Sequence, residues 1–166
     1  MGLSEVTNIE EENERRPILV VDDEQSMREF LSIMLKKEGH EVVTVDRGED
    51  AIERIQDGER FRLVITDLKM PGQDGLDVLK ASKDADPACQ VVIITAHATP
   101  ESAISALKNG AYDYLQKPFK VEQAKAVVER ALETYDLKSE NLYLRRALAN
   151  KEQFGDIIGQ SEPMQE

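Results

Sequence analysis

The chain has only one cysteine and no long apolar run. A lone cysteine cannot form a disulfide within one copy of the chain. Cys89 stands just before the apolar residues 91–94, which favours a small buried side chain over a nucleophile. The N-terminal residues lack the apolar core of a signal peptide and the serine or threonine of a myristoylation signal. Since no apolar run approaches the roughly 20 residues that cross a bilayer, we expect a cytoplasmic protein.

Positive charge is also scarce. Lysine and arginine number 21 against 33 aspartates and glutamates, which gives a formal net charge of -12 and a pI of about 4.7. This field repels polyanions, and no basic stripe with interleaved aromatic residues offsets it. Neither nucleic acid nor an anionic membrane is therefore expected as a partner. The 166 residues, 40% of them hydrophobic, suffice for one globular domain and an extension.

Residues 1–16 are polar and acidic and show no periodicity, which is typical of a flexible tail. From Pro17 onward, five short β-branched runs alternate with segments of helical period. The runs occupy residues 18–21, 42–45, 63–66, 91–95 and, more weakly, 112–115. Because these runs are apolar throughout, both faces of the strands should be covered. The pattern predicts an α/β fold, a doubly wound five-stranded parallel sheet of about 120 residues.

Polar side chains stand where four of the predicted strands end. Asp22 and Asp23 follow the first, Asp67 follows the third, Thr95 ends the fourth and Lys117 comes just after the fifth. In parallel sheets these ends meet at one edge, where binding sites form. Each residue alone could be a helix cap, a turn former or a solvated side chain. Together they predict a site, because carboxylates about 4 Å apart repel by about 4 kcal/mol and need shifted pKa values or a cation.

Such a set of oxygen ligands suits Mg²⁺, which binds through one or two carboxylates, phosphate oxygens and water. A carboxylate can also attack phosphorus and form an aspartyl phosphate. A metal ion, a lysine ammonium and a hydroxyl would then stabilise the oxygens of the transferred group. The residues therefore point to magnesium-dependent phosphoryl transfer to an aspartate.

Four stretches of the sequence resemble the receiver domains of bacterial two-component response regulators. They are residues 18–24 (ILVVDDE), 63–72 (LVITDLKMPG), 94–96 (ITA) and 112–119 (YDYLQKPF). They occur in the family's order and at fitting separations over residues 17–135. The resemblance implies a flavodoxin-like (βα)5 sandwich that works as a phosphorylation switch.

The resemblance also implies roles for the residues at the strand ends. Asp67 would be the phosphoacceptor. Asp23 and Asp67 would bind Mg²⁺ directly, Asp22 would act mainly through water, and the backbone carbonyl of Lys69 would complete the protein ligands. Thr95 and Lys117 would contact the phosphoryl oxygens, and the peptide bond between Lys117 and Pro118 would be cis.

Two further positions match the family's regulatory residues. Thr95 and Tyr114 resemble its switch pair, in which the ring turns inward when the hydroxyl moves toward the phosphate. Without the resemblance, Tyr114 would be a partly buried aromatic of an edge strand. Lys69 and His97 would tune the lifetime of the phosphoryl group by gating the attacking water. For His97 an ordinary loop histidine is an equal alternative.

The segment after residue 120 is long for one closing helix. Val128, Tyr135 and Leu142 recur every seven residues. This recurrence predicts a helical linker over 136–152 that forms a short coiled coil and a homodimer. Lys138 and Arg145 make the heptad pattern imperfect. The alternative is an amphipathic helix that packs on its own domain.

Residues 153–166 resemble the opening of the AAA+ ATPase domain of sigma-54-dependent transcriptional activators of the NtrC and DctD type. This resemblance implies an N-terminal fragment that ends where the ATPase begins. No phosphate-binding loop of the form G-x-x-x-x-G-K-[ST] occurs, so the fragment is not expected to hydrolyse ATP. We classify it as a regulatory domain and not an enzyme, with self-catalysed phosphotransfer and autodephosphorylation as its only chemistry.

The implied partners are a sensor histidine kinase, a second copy of the chain and the downstream ATPase. Phosphorylation would change the dimer and so control transcription, either by relieving repression or by promoting assembly. Among rivals, a phosphoribosyltransferase lacks its phosphate loop here, and a haloacid-dehalogenase-type phosphatase needs aspartate where Glu24 stands. Both leave Asp67 and Lys117 unexplained. A phosphorylation-independent interaction module would be expected if Lys117 or an acidic residue were missing.

Overall fold

The computed structural model describes the backbone of residues 16–161 and the side chains of residues 16–150. Strands and helices alternate along this part of the chain. The strands are β1 (Ile18–Val21), β2 (Val42–Val45), β3 (Leu63–Asp67), β4 (Gln90–Thr95) and β5 (Asp113–Gln116). The helices are α1 (Gln25–Lys37), α2 (Gly48–Gln56), α3 (Gly75–Ala85), α4 (Pro100–Lys108) and α5 (Val121–Ser161). The predicted tail, apart from Arg16, lies outside the described residues.

All five strands form one parallel sheet in the order β2-β1-β3-β4-β5. This confirms the predicted doubly wound sandwich. Strands β3 and β4 extend one residue beyond the predicted runs at one end, and β5 lies one residue later. The strand order reverses between β1 and β3, so a crevice opens there beyond the carboxyl ends of the strands.

The helices cover both faces of the sheet. Ile18 and Val20 of β1 face a core formed with α1 and α5, while Leu19 and Val21 face a core formed with α2, α3 and α4. Successive strand residues point to opposite faces, so an uninterrupted apolar strand fills both cores. Helix α1 contributes Leu31, Met34 and Leu35 to the first core.

Two helix starts are fixed by reciprocal side-chain bonds. In α3 a carboxylate oxygen of Asp74 accepts a hydrogen bond from the backbone N–H of Asp77, 3.0 Å away, and Asp77 returns the bond. In α4 the hydroxyl oxygen of Thr99 accepts from the N–H of Ser102 at 3.1 Å. Such capping boxes satisfy N–H groups that a helix start leaves without partners. Thr99 therefore caps α4.

Arg16 belongs to the folded domain, although the sequence places it in the tail. Its guanidinium donates a hydrogen bond to the Tyr135 hydroxyl at 2.8 Å and lies 3.6 Å from the Asp86 carboxylate. Its carbonyl oxygen accepts a hydrogen bond from Nε of Arg62, also at 2.8 Å. Arg16 therefore contacts the folded domain through residues far from it in the sequence, and hydrophobic periodicity does not reveal such long-range polar contacts.

Helix α5 runs without a break from the domain to Ser161, through the predicted linker and into the segment predicted to open an ATPase. Residues 162–166 lie outside the described residues. In the described part of the chain, no helix is long and apolar enough to cross a membrane.

The face of α5 that the sequence assigned to a dimer packs instead on the chain's own domain. Val128 is 6% exposed and belongs to the core under the sheet, and Tyr135 is fully buried. Leu142 is half-buried and lines a cavity of about 300 Å³ together with Arg16 and Asp86. This corrects the prediction for Val128 and Tyr135, because side chains enclosed within one domain do not offer a surface to a second copy.

Candidate functional site

Four of the polar residues predicted at the strand ends come together at the crevice between β1 and β3: Asp22, Asp23, Asp67 and Lys117. Asp22 follows β1 directly, and Asp67 is the last residue of β3. Val21 is paired with Thr66, and Asp67 with Ile94, so the ends of β1, β3 and β4 lie side by side. The sheet register therefore brings Asp22 and Asp67 next to each other.

Three carboxylates form an acidic cluster at this point. Asp22, Asp23 and Asp67 each offer one oxygen, and these oxygens lie within 4.8 Å of one another. Asp22 is fully buried, Asp67 is 8% exposed and Asp23 is exposed. The cluster is thus closed on the side of the sheet and open to solvent at Asp23.

Lys117 supplies the positive charge of the site. Its ammonium lies 2.9 Å from Oδ2 of Asp22 and 3.4 Å from Oδ2 of Asp67. The peptide bond between Lys117 and Pro118 is cis, as the family resemblance implied. One ammonium therefore faces three carboxylates, and the cluster keeps an excess of negative charge.

The pKa values of the pair reflect this excess. Burial raises the pKa of Asp67, and the neighbouring charges of Asp22 and Asp23 raise it further against the opposing effect of Lys117. Burial lowers the pKa of Lys117, but the hydrogen bond and charge of Asp22, together with Asp67, raise it overall. An isolated ion pair would lower the pKa of its carboxyl group. Three carboxylate oxygens within 4.8 Å of one another share a single ammonium, so the donor set fits a divalent cation.

Asp22 is held more firmly than the other two acids. One of its carboxylate oxygens accepts a hydrogen bond from the backbone N–H of Glu24 at 2.9 Å, and the other accepts from Lys117. The guanidinium of Arg28 donates to its backbone carbonyl at 2.8 Å. Because protein donors occupy both carboxylate oxygens, this geometry agrees better with contact to a metal through water than with direct coordination.

Thr95 is the last residue of β4, beside the end of β3, and its side chain is buried. It is 1% exposed, and its hydroxyl oxygen accepts a hydrogen bond from the backbone N–H of His97 at 3.2 Å. Within the described residues this hydroxyl donates to no acceptor, so its hydrogen is available to a bound anion. The His97 side chain is exposed in the loop beyond the strand.

The loop that follows Asp67 is anchored on both sides of Lys69. The N–H of Leu68 donates to the carbonyl of Ile94 at 2.9 Å, and the N–H of Gly75 donates to the carbonyl of Leu68 at 2.8 Å. A Cβ on Gly75 would clash with the carbonyl oxygen of Asp67. Glycine therefore lets α3 begin directly against the site. The Lys69 side chain is exposed.

Two residues near the site were missed by sequence reasoning. A carboxylate oxygen of Glu49, in the first turn of α2, accepts a hydrogen bond from the N–H of Gln73 at 2.9 Å and so ties α2 to the loop after β3. The hydroxyl of Ser102 lies 2.8 Å from the hydroxyl of Tyr114. The Thr-x-x-Ser spacing of residues 99 and 102 was a signal for the cap, but nothing in the sequence indicated the contact with Tyr114.

The half-buried Tyr114 is thus linked to the start of α4 and not to Thr95. Its ring packs against the core shared by α2, α3 and α4. Its hydroxyl meets Ser102, whose N–H and hydroxyl both bond to Thr99 in the capping box. Movement of the ring would therefore act on the first turn of α4.

Comparison with known proteins agrees with this geometry. The sequence profile of the family described as the response regulator receiver domain matches residues 18–129. The regulatory protein AtoC of Escherichia coli is 35% identical over 147 residues, which cover 89% of this chain and 32% of that protein. The DNA-binding transcriptional regulator NtrC of Escherichia coli is 36% identical over 155 residues, covering 92% and 32%. The chain spans about a third of the length of these curated relatives.

Solved structures show the same architecture. The receiver domain of NtrX from Brucella abortus is 43% identical, with a TM-score of 0.64, and the match covers 70% of this chain and 98% of that one. A response regulator receiver domain from Clostridium thermocellum is 31% identical, with a TM-score of 0.67 and coverage of 74% and 98%. Both matches cover nearly all of the other domain and at least 70% of this chain, so the fold is shared.

Proposed function

Since the chain belongs to the response regulator receiver family, as its NtrC-like relatives do, we propose that it is a phosphorylation-activated signalling switch. In this proposal, Asp67 accepts a phosphoryl group from a sensor histidine kinase. The observation that carries the proposal is the position of the Lys117 ammonium between Asp22 and Asp67 at the crevice of the sheet. One ammonium does not balance the three carboxylates, so the cluster keeps a net negative charge that can attract a cation. The ammonium also lies next to Asp67, where it can bind the oxygens of a phosphoryl group on that residue.

In the proposed transfer, Asp67 supplies the nucleophile and the phosphorylated histidine of the kinase supplies the phosphoryl group. A carboxylate oxygen of Asp67 forms a bond to phosphorus while the bond between phosphorus and the donor's histidine nitrogen breaks. The electron pair stays on that nitrogen, and the kinase imidazole takes its proton from solvent. Lys117 stabilises the negative charge on the phosphoryl oxygens, and the Thr95 hydroxyl donates a hydrogen bond to one of them.

We propose that Mg²⁺ is held by the carboxylates of Asp23 and Asp67, by the backbone carbonyl of Lys69, and by Asp22 through water. The role of Asp22 is supported by its two oxygens, which already accept protein hydrogen bonds. Bound Mg²⁺ would supply positive charge to the phosphoryl oxygens. The chain's own part is to fix the carboxylates against the sheet, with Asp23 exposed to the incoming donor.

Thr95 and Tyr114 form the proposed switch. When Thr95 moves toward a phosphoryl oxygen, it leaves space into which the Tyr114 ring can turn. That rotation would break the hydroxyl contact with Ser102, which is part of the cap of α4. The proposed signal is therefore a change in the first turn of α4.

Lys69 and His97 are proposed to adjust the lifetime of the phosphoryl group. Both side chains are exposed at the rim of the site, on the loops after β3 and β4. From there they can obstruct or admit the water that attacks the acyl phosphate.

The proposed output lies beyond the receiver domain. The relatives that this chain matches are about three times its length, and NtrC is named as a DNA-binding transcriptional regulator. We propose that phosphorylation changes a homodimer and thereby controls a downstream AAA+ ATPase, whose domain would begin near residue 153. Of the three residues that the sequence proposed for the dimer contact, Val128 and Tyr135 are enclosed in the domain, and Leu142 is half-buried beside Arg16 and Asp86.

Intact-mass measurement tests the phosphoacceptor. The chain is incubated with acetyl phosphate, with Mg²⁺ or with EDTA, and compared with Asp67→Asn and with Asp84→Asn, which changes an exposed acid on α3. We expect one phosphoryl adduct on the wild type and on Asp84→Asn, only with Mg²⁺, and none on Asp67→Asn. No adduct on the wild type, or an equal adduct on Asp67→Asn, would overturn the proposal.

A further inference from the structure

A cavity of about 300 Å³ lies at the edge of the sheet opposite the acidic cluster. Three of its lining residues, Arg16, Arg60 and Ala88, lie two or three residues before β1, β3 and β4 respectively. Because these strands are parallel, their starts share one edge of the sheet and their ends share the other. Asp22 and Asp67 stand at the ends, so the cavity is separate from the proposed phosphoacceptor site.

Helix α5 forms one side of this cavity. Ser139, Leu142, Tyr143 and Arg146 all line it. Positions three, four and seven residues apart lie on one face of a helix, so the helix presents a single face to the cavity. A molecule bound there would touch both the folded domain and the part of α5 that runs on toward Ser161.

Positive charge is concentrated in the cavity, although the whole chain has a formal net charge of -12. The charged residues of the lining are three arginines, Arg16, Arg60 and Arg146, and one acid, Asp86. Arg16 lies 3.6 Å from Asp86, so these two charges offset each other. Arg60 and Arg146 form no ion pair with any side chain that the structure describes. The lining therefore keeps an excess of two positive charges.

Two of the arginines are already held in place. The guanidinium of Arg16 donates a hydrogen bond to the Tyr135 hydroxyl at 2.8 Å. Nη1 of Arg60 donates to the backbone carbonyls of Ile55 and Glu59, at 3.2 and 2.9 Å. These carbonyls are uncharged, so they position the Arg60 side chain without neutralising it. Because the side chain is already ordered, binding an anion costs less conformational entropy.

The size and charge of the cavity indicate the class of ligand. Its volume is at the lower end of the range for small-molecule sites. Leu142, Pro87 and the half-buried Tyr143 add apolar and aromatic surface beside the arginines. A phosphate monoester carries about -1.5 to -2 charges at neutral pH, which matches the excess of two, whereas a carboxylate carries only one. Guanidinium groups also bind phosphate oxygens through paired hydrogen bonds.

We propose that this cavity binds a small phosphate monoester with an apolar or planar body. Arg60 and Arg146 bind the phosphate oxygens, and Leu142 and Tyr143 contact the body. The ligand thereby connects Arg146 of α5 to Arg60 of the domain and fastens the helix at the point where it leaves the domain. The site is a second input to this helix, and it does not depend on phosphorylation of Asp67.

Isothermal titration calorimetry tests the site, with AMP as the phosphate monoester and adenosine as its uncharged counterpart. EDTA is present, so that no divalent cation recruits phosphate to the acidic cluster. The wild type should bind one AMP with a dissociation constant below about 1 mM and adenosine at least about tenfold more weakly. No binding of AMP, or equal binding of adenosine, would overturn the proposal.

Charge-removing variants locate the binding. Arg60→Gln and Arg146→Gln should each weaken AMP binding by roughly tenfold or more, because each removes a charged hydrogen-bond donor. Arg145→Gln is the matched control, since it makes the same change at the exposed neighbouring position of α5, outside the lining. Wild-type affinity in both Arg60→Gln and Arg146→Gln would refute the site. All three variants should still take one phosphoryl group on Asp67 from acetyl phosphate and Mg²⁺. Failure of this site is therefore distinguishable from misfolding and from failure of the phosphoacceptor.

Hydrogen exchange tests the effect on α5. AMP at ten times its dissociation constant should slow exchange of the backbone amides of residues 139–146 by up to about tenfold in the wild type. At the same AMP concentration, Arg146→Gln should show a slowing of no more than about twofold. Unchanged exchange in the AMP-bound wild type would contradict the fastening of the helix.

Discussion

Replacing Asp67 with asparagine should make the folded protein more stable at neutral pH in the absence of divalent cations. Asparagine keeps the shape of the side chain and an oxygen that can accept a hydrogen bond from Lys117. It removes one negative charge from the acidic cluster. Most substitutions of a buried residue lower the free energy of unfolding. An increase in Asp67→Asn would therefore point to relief of charge repulsion in the acidic cluster.

The magnitude follows from the distances in the cluster. With carboxylate oxygens up to 4.8 Å apart, each of the two repulsions on Asp67 is worth about 3.5 kcal/mol at an effective dielectric constant of 20. The attraction of Lys117, 3.4 Å away, offsets about 5 kcal/mol of this at the same dielectric constant. Repulsion therefore exceeds attraction by about 2 kcal/mol. Burial of the Asp67 charge destabilises the folded state further. We therefore expect Asp67→Asn to raise the free energy of unfolding by about 1–3 kcal/mol.

The pH dependence has a definite sign. Because the folded state raises the pKa of Asp67 above its ordinary value of 3.8, the folded protein binds this proton more tightly than the unfolded chain does. The wild type therefore loses stability relative to Asp67→Asn as pH rises from the ordinary value through the raised one. The difference in free energy of unfolding between Asp67→Asn and the wild type should be largest at pH 7.5 and should decrease steadily toward pH 4.5.

Urea unfolding followed by far-ultraviolet circular dichroism measures the difference. Asp84→Asn removes an exposed charge from α3 and should change the free energy by no more than about 0.5 kcal/mol. Mg²⁺ at ten times its dissociation constant should stabilise the wild type by about 1.4 kcal/mol and Asp67→Asn by less. An Asp67→Asn protein no more stable than the wild type at pH 7.5, or an advantage that grows in acid, would refute this account of the cluster.

Three further outcomes follow from the same contacts. Lys117→Ala leaves Asp22 and Asp67 without their ammonium and should lower the free energy of unfolding at pH 7.5 by about 3 kcal/mol. Urea titration should show a smaller decrease at acidic pH. Gly75→Ala introduces a methyl group against the Asp67 carbonyl and should cost about 1–3 kcal/mol in the same titration, and it should also slow phosphorylation by acetyl phosphate. Because burial raises the pKa of Cys89 to about 12, its thiol should react with a disulfide reagent at pH 8 only when urea unfolds the domain.

Much of the site could be predicted because its residues are adjacent to patterns that are local in the chain. Asp22, Asp67 and Thr95 each end or follow a β-branched run, and parallel strands place such ends at one edge of the sheet. The rest could not be predicted, because it depends on which side chains meet from distant segments. Glu49 reaches the loop at Gln73 only through the packing of α2 beside α3, and Ser102 meets Tyr114 only because α4 lies over β5.

Helix α5 shows most clearly where the sequence stops being decisive. Its amino acids contain two stripes with a spacing of seven, one through Val128 and Tyr135 and one through Leu137 and Leu144. Periodicity predicts a helix and a coiled coil, but it does not say which stripe faces the domain. The stripe that faces the domain is determined by how α5 packs on the sheet, where Val128 enters the core and Tyr135 contacts Arg16.

By itself, the sequence determined the five strands, the parallel sheet and the acids at its edge. Hydrophobic periodicity and the residues at strand ends depend only on amino acids that are close together in the chain. The tertiary structure decided that Lys117 is shared between two of three carboxylates, that Arg16 belongs to the domain, and which face of α5 remains exposed. These features depend on distances between residues up to 119 positions apart. Only the packing of the helices on the twisted sheet determines such distances.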